Sequence, residues 1–138
     1  MSGTTETIQA IFDLVHANMR YQYDHIVFGK EEFWKSWSKE IKQGMSGIRD
    51  DCDGYALTFA ELLREHGIAP EHIAICFCTI KGEGHLTCKV FDTDQQQWFI
   101  LDNNTTRPLN RSSVERTLGI KWASCMYLNN PGVWVIDQ

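Results

Sequence analysis

Three side chains far apart along the chain have the types needed for covalent chemistry at a carbonyl carbon: Cys52, His85 and Asp102. A thiolate attacks, an imidazole takes up and returns the proton, and a carboxylate fixes which ring nitrogen carries hydrogen. Cys52 opens a helical apolar stripe, where unpaired backbone N–H groups and the helix dipole favour negative charge and so predict a lowered thiol pKa. Taken alone, such a cysteine reads as a small buried residue at the head of the stripe. Five histidines compete to be its base. His16 and His66 fall in helical patterns, His72 in the connection after Pro70 and His25 in a loop, and none has a carboxylate whose placement the sequence determines. His85 differs because it starts a strand directly after Gly84, so its neighbours follow from register.

The elements that must position these residues can be read from periodicity. Ile8, Ile11, Phe12, Val15 and Met19 predict a helix over Thr5 to Tyr21, and Phe33, Trp34, Trp37 and Ile41 predict another from Lys30 to Gln43, stopped by Gly44. Gly44 to Arg49 reads as a loop. Cys52, Tyr55, Ala56, Phe59, Ala60 and Leu63 then form one stripe, with Asp50 or Asp51 as cap and Gly67 and Pro70 as terminators. After Pro70 the period changes to two. Ile73 to Ile80, His85 to Phe91 and Trp98 to Asn103 read as an antiparallel meander. A short helix with Ser112 and Glu115 as capping box precedes Gly119, and the strands Lys121 to Leu128 and Val133 to Asp137 flank the turn at 129–132. Helices first and strands later predict an α+β fold, in one domain over residues 1–138.

Register arithmetic then tests whether the three residues can meet. A hairpin closing within Lys81 to Gly84 sets Ile80 opposite His85 and puts Cys78, Cys76 and Ala74 on the histidine's face. In the next hairpin a tight turn at Thr93 and Asp94 sets Asp102 directly opposite His85. A turn centred one residue later sets it diagonally, about 7 Å away between α-carbons, on the same face. Small side chains at 74, 76 and 78 leave room for a helix against this face, and if that helix is the one opened by Cys52 the thiol, imidazole and carboxylate can converge. Without the cysteine, His85 and Asp102 would read as a structural polar pair.

The ordered set Asp51-Cys52-Asp53-Gly54-Tyr55-Ala56, then Gly84-His85, then Leu101-Asp102-Asn103 resembles the bacterial transglutaminase-like cysteine proteinases of the papain-like superfamily. The likeness runs from about Val15 to Trp134. It implies a papain-like or transglutaminase-like fold with the cysteine helix packed on an antiparallel sheet. It also implies Cys52 as nucleophile, His85 as general base and acid, Asp102 as orienting carboxylate, and a protein or peptide substrate cleaved through an acyl-enzyme. The oxyanion site would include the Cys52 backbone N–H and one further donor, with Trp34, Trp37, Asn18 and Gln22 as candidates. The chain departs from the family in carrying Asp50 where glycine commonly stands. Its polar Met1 to Ala10 segment has no signal-peptide character, which predicts a cytoplasmic or phage-encoded protein. Two other readings are acyl transfer to amines by the same triad and a non-catalytic protein-binding module on the same fold.

Asp50, Asp51 and Asp53 crowd the thiol, and their charge opposes its ionisation. Some members of the resembled family bind calcium through acidic residues flanking the cysteine, and Asp51 and Asp53 match those positions; the alternative is plain helix capping. Zinc is a rival reading of Cys76-x-Cys78 with His85-x-x-Cys88, but strand parity points Cys88 to the opposite side. Composition bounds the rest. A net charge of -5 argues against a nucleic-acid grip. Five cysteines without framework spacing read as reduced thiols. The longest apolar run, Ile73 to Ile80, falls far short of the ~20 residues that span a bilayer.

Overall fold

A computed structural model describes residues 3–21 and 36–136. Gln22, His25, Phe33 and Trp34 therefore lie outside the described residues. Helix α1, Thr4–Asn18, buries Ile8, Ile11, Phe12 and Val15 on one face. It ends before the predicted Tyr21. Met19–Tyr21 forms a short strand, β1, parallel to β2, Ile48–Asp50, in what the sequence suggested was a loop. Met19 is buried, and strands of three residues are too short to show a period. Within the predicted second helix, the described residues are helical only at Ser38–Lys42, α2, and Gly44 follows with φ +91°.

The best-defined helix is α3, Cys52–Glu65, and its N-cap is Asp51, whose side chain accepts from the Asp53 N–H at 3.1 Å. Tyr55, Ala56, Phe59, Ala60, Leu62 and Leu63 form its buried stripe. Gly67, at φ +93°, turns the chain out of the helix as predicted.

Six antiparallel strands follow. They are β3 Ile73–Ile80, β4 Glu83–Asp92, β5 Gln97–Leu101, β6 Leu109–Asn110, β7 Ile120–Tyr127 and β8 Val135–Ile136, in the spatial order β6-β5-β4-β3-β7-β8. Helix α4, Arg111–Leu118, links β6 to β7. Its cap is Asn110, which accepts from the Ser113 N–H at 2.9 Å, rather than the expected Ser112. Gly119 ends it in the left-handed region.

Lys81 and Gly82 both have positive φ, 52° and 81°, the geometry of a two-residue hairpin whose twist suits the flanking strands. That turn pairs Ile80 with Glu83 and Cys78 with His85, so Ile80 is not the partner of His85. The difference is two residues. An even shift leaves every side chain on its predicted face.

The face covered by α3 is the opposite of the expected one. Ile73, Ile75, Leu86, Cys88, Val90 and Leu101 share a core with Phe12, Val15, Phe59 and Leu63 of α1 and α3. Burying a branched or aromatic side chain contributes about 1.5–3 kcal/mol, so the bulky face outcompetes the small one for the helices. Ala74 and Cys76 are covered instead by Cys125, Trp122 and Tyr127, and Cys78 by Ile100, Val114 and Ile120. Among the described residues no helix is long and apolar enough to cross a membrane.

Candidate active site

Cys52 is the first residue of α3, and its N–H therefore has no acceptor inside the helix. Its sulfur accepts a hydrogen bond from the Leu86 backbone N–H, and the thiol donates to Asp53 Oδ1 at 3.6 Å. Leu86 directly follows His85. The helix start thus meets the sheet through the backbone of β4 at the residue next to the imidazole, without the helix covering the face on which the small side chains lie.

His85 is 8% exposed and Asp102 1%, and their side chains meet with Nε2 to Oδ1 at 2.7 Å. Leu101 pairs with Cys88, so Asp102, next along, falls diagonal to His85, the second of the two geometries drawn from turn length. A carboxylate only accepts hydrogen bonds, so Nε2 carries the proton and Nδ1 is the ring's basic atom. Asp102 is itself held from several sides. Its Oδ2 accepts from the Asn104 N–H at 3.1 Å, and its carbonyl accepts from Thr105 Oγ1 at 3.3 Å and from His16 Nε2 at 2.9 Å. Next to it, Thr87 Oγ1 donates to the Leu101 carbonyl at 3.0 Å.

The electrostatics oppose the expected lowering of the thiol pKa. Burial pushes the Cys52 thiol well up, and the charges of Asp53, Asp51 and Asp102 push it further, while the Leu86 N–H pulls it down. Desolvation of a sulfur anion outweighs a helix start when three carboxylates stand nearby. The resting sulfur is therefore protonated.

Asp50 is fully buried, and its carboxylate accepts from the Trp37 indole N–H at 2.7 Å and the Asp51 N–H at 2.8 Å. Trp37 thereby turns its one side-chain donor to Asp50, and Asn18 Nδ2 donates to the Leu14 carbonyl of its own helix at 2.8 Å. The Trp37 indole N–H is thus committed to Asp50, whereas the Asn18 amide has a second hydrogen. The other two candidates, Trp34 and Gln22, lie outside the described residues. His16, which the sequence offers only as a helical histidine without a carboxylate partner, bonds the Asp102 carbonyl. Its signal was its spacing, four residues after Phe12 and eight after Ile8, on the stripe itself.

A family model described as bacterial transglutaminase-like cysteine proteinase, BTLCP, matches residues 2–136. The chain belongs to this family. As a BTLCP member it is a cysteine peptidase, and the mixed architecture above is the papain-like, transglutaminase-like fold the resemblance implied. Among solved structures, LapG of Legionella pneumophila is similar with a TM-score of 0.72 and 18% identity, over 98% of this chain and 70% of LapG. The calcium-bound and EGTA-treated forms of Legionella pneumophila LapG each give 0.70 at 18% identity, over 95% and 96% of this chain and 67% of theirs. At that identity the likeness is one of fold. None of the curated proteins compared matches the chain.

The acidic residues of this BTLCP chain can be tested against a calcium site. Asp51 caps α3, Asp53 takes the thiol, and Asp50 is committed to Trp37 and the Asp51 N–H. Calcium takes six to eight oxygens. Among the described residues no group of three or more His, Cys, Asp or Glu side chains could hold a metal ion, so Asp51 and Asp53 do not by themselves make such a site. The same observation removes the zinc reading. Cys88 sits in the core under α1 and α3, while Cys76 and Cys78 lie on the other side of the sheet.

Proposed function

We propose that this BTLCP chain hydrolyses peptide or side-chain amide bonds with Cys52 as nucleophile, His85 as general base and acid, and Asp102 as the group that orients the imidazole. The observation that carries the reading is the buried His85–Asp102 pair standing one residue from the backbone N–H that meets the Cys52 sulfur. Because the resting sulfur is protonated, its proton passes to His85 Nδ1 as the sulfur attacks the carbonyl carbon, not beforehand. The sulfur–carbon bond forms, and the oxyanion develops against the N–H at the start of α3. His85 then gives the proton to the leaving nitrogen, the carbon–nitrogen bond breaks, and an acyl-enzyme remains. Water, deprotonated by the same Nδ1, attacks the thioester, releases the acid and restores the thiol. Asp102 stays ionised and favours the imidazolium at each transfer. No step runs through a metal.

Labelling with iodoacetamide tests the nucleophile. Cys52 is the partly exposed thiol, while Cys76, Cys78, Cys88 and Cys125 are buried. The folded protein takes up one equivalent at Cys52, and Cys52→Ala takes up none. Dominant labelling at any of the other four overturns the assignment.

A further inference from the structure

We infer that His16 is a positioning residue for the proposed catalytic pair, holding Asp102 through its backbone and fixing the cysteine helix relative to it. The inference rests on the reading of Cys52, His85 and Asp102 given above. His16 lies on α1, in an element that contributes none of those three residues. Its Nε2 donates to the Asp102 carbonyl at 2.9 Å. The ring stacks on Phe12 at 4.2 Å between centroids and lies against Tyr55 and Phe59 of α3 at 5.8 and 6.0 Å. One imidazole therefore touches the helix that begins at Cys52 and bonds the residue that bonds His85.

The rest of α1 is fastened so as to make this contact rigid. At its other end Thr5 Oγ1 donates to the buried Asp92 carboxylate at 2.6 Å, and the Thr5 N–H to Asp94 Oδ2 at 3.2 Å. Asp92 is paired with Gln97, the first residue of β5, and Asp102 directly follows the last. From Thr5 to His16 a helix rises about 16 Å. From Gln97 to Asp102 a strand advances about 17 Å. The two lengths match, so α1 is tied to the turn between β4 and β5 at one end and to the residue after β5 at the other, and His16 is the end that reaches the site.

The prediction separates the donor from the ring. His16→Phe keeps an aromatic ring against Phe12, Tyr55 and Phe59 but loses the bond to Asp102, whereas His16→Gln gives up the ring and keeps an N–H that can reach the carbonyl. With p-nitrophenyl acetate as acyl donor, His16→Phe lowers the rate constant of the Cys52-dependent burst about tenfold with KM little changed, the size expected from a displacement of well under 1 Å at a reacting pair. His16→Gln recovers most of that loss even where it melts at a lower temperature. Proton NMR gives a readout independent of turnover: the far-downfield signal of the His85 Nε2–H bonded to Asp102 is broadened or lost in His16→Phe and retained in His16→Gln. Equal burst rates and an unchanged downfield signal in His16→Phe overturn the inference. So does a loss that follows melting temperature across both variants, since that is a structural role alone. If the wild-type protein gives no burst that depends on Cys52, the proposed function fails, and the NMR comparison still decides whether His16 holds Asp102.

Discussion

Replacing Gly54 by alanine should destabilise this protein, although alanine is the better helix former. Exchanging a glycine for alanine inside a helix ordinarily gains about 1 kcal/mol. Here a methyl group at Gly54 would lie 2.7 Å from Asp50 Cβ and closer still to its carboxylate. Asp50 cannot swing aside cheaply, because it is fully buried and holds the Trp37 indole and the Asp51 N–H. Hydrogen bonds to a charged group contribute about 1.5–3 kcal/mol each, and leaving a buried carboxylate short of partners costs about 3–5 kcal/mol. Net of the helix gain, the substitution costs about 2–4 kcal/mol, or roughly a 10 °C fall in melting temperature for a domain of this size. Urea denaturation followed by tryptophan fluorescence measures it, since Trp37 reports on the same cluster. A double-mutant cycle isolates the cause: with Asp50→Gly already in place, which removes the Cβ as well as the carboxylate, Gly54→Ala should become neutral or stabilising by about 1 kcal/mol. A Gly54→Ala protein as stable as wild type, or the same loss in both backgrounds, would refute the packing argument.

Other consequences can be measured on the same protein. Asp53→Asn removes the carboxylate that takes the thiol hydrogen, and about 1.4 kcal/mol of relieved repulsion raises the rate of Cys52 alkylation near neutral pH about tenfold; an unchanged or slower rate contradicts the electrostatics given for the sulfur. Asp102→Ala should lower the burst rate about a thousandfold while leaving iodoacetamide able to reach Cys52, and a loss below about threefold would argue against Asp102 as the orienting group. The folded protein holds the Cys52 and Cys88 thiols above their ordinary value of 9.0. Their contribution to stability is therefore fully present below pH 9 and is lost as pH rises beyond it, because only the unfolded chain ionises; Cys52→Ala should reduce the alkaline slope of urea stability by about 1.4 kcal/mol per pH unit. Rates in excess EGTA and in millimolar calcium should agree within about threefold, and activity seen only with calcium would mean that residues beyond the described ones complete a site at Asp51 and Asp53.

Local signals carried the parts of this chain that depend on neighbours in sequence. The α3 stripe, its Asp51 cap, its Gly67 stop and the meander of β3 to β5 follow from periodicity and turn chemistry, and strand parity alone was enough to put His85 and Asp102 on one face. The short parallel pair β1 and β2 was invisible, since three residues show no period and the partners lie about thirty positions apart. Which face of the sheet α3 would cover also escaped sequence reasoning. Both faces are buried, and the choice falls to the bulkier set, a comparison of volumes that no single strand displays.

The same division runs through the site. Residue types, order and spacing by themselves determined that a thiol at a helix start, an imidazole and a carboxylate were available, because helix caps and strand registers are short-range properties. Only the tertiary structure decided that the thiol is held protonated and that Asp102 is gripped by His16. Burial and the closeness of charges are set by what packs together, and the side chains responsible come from α1, the start of α3 and the end of β5.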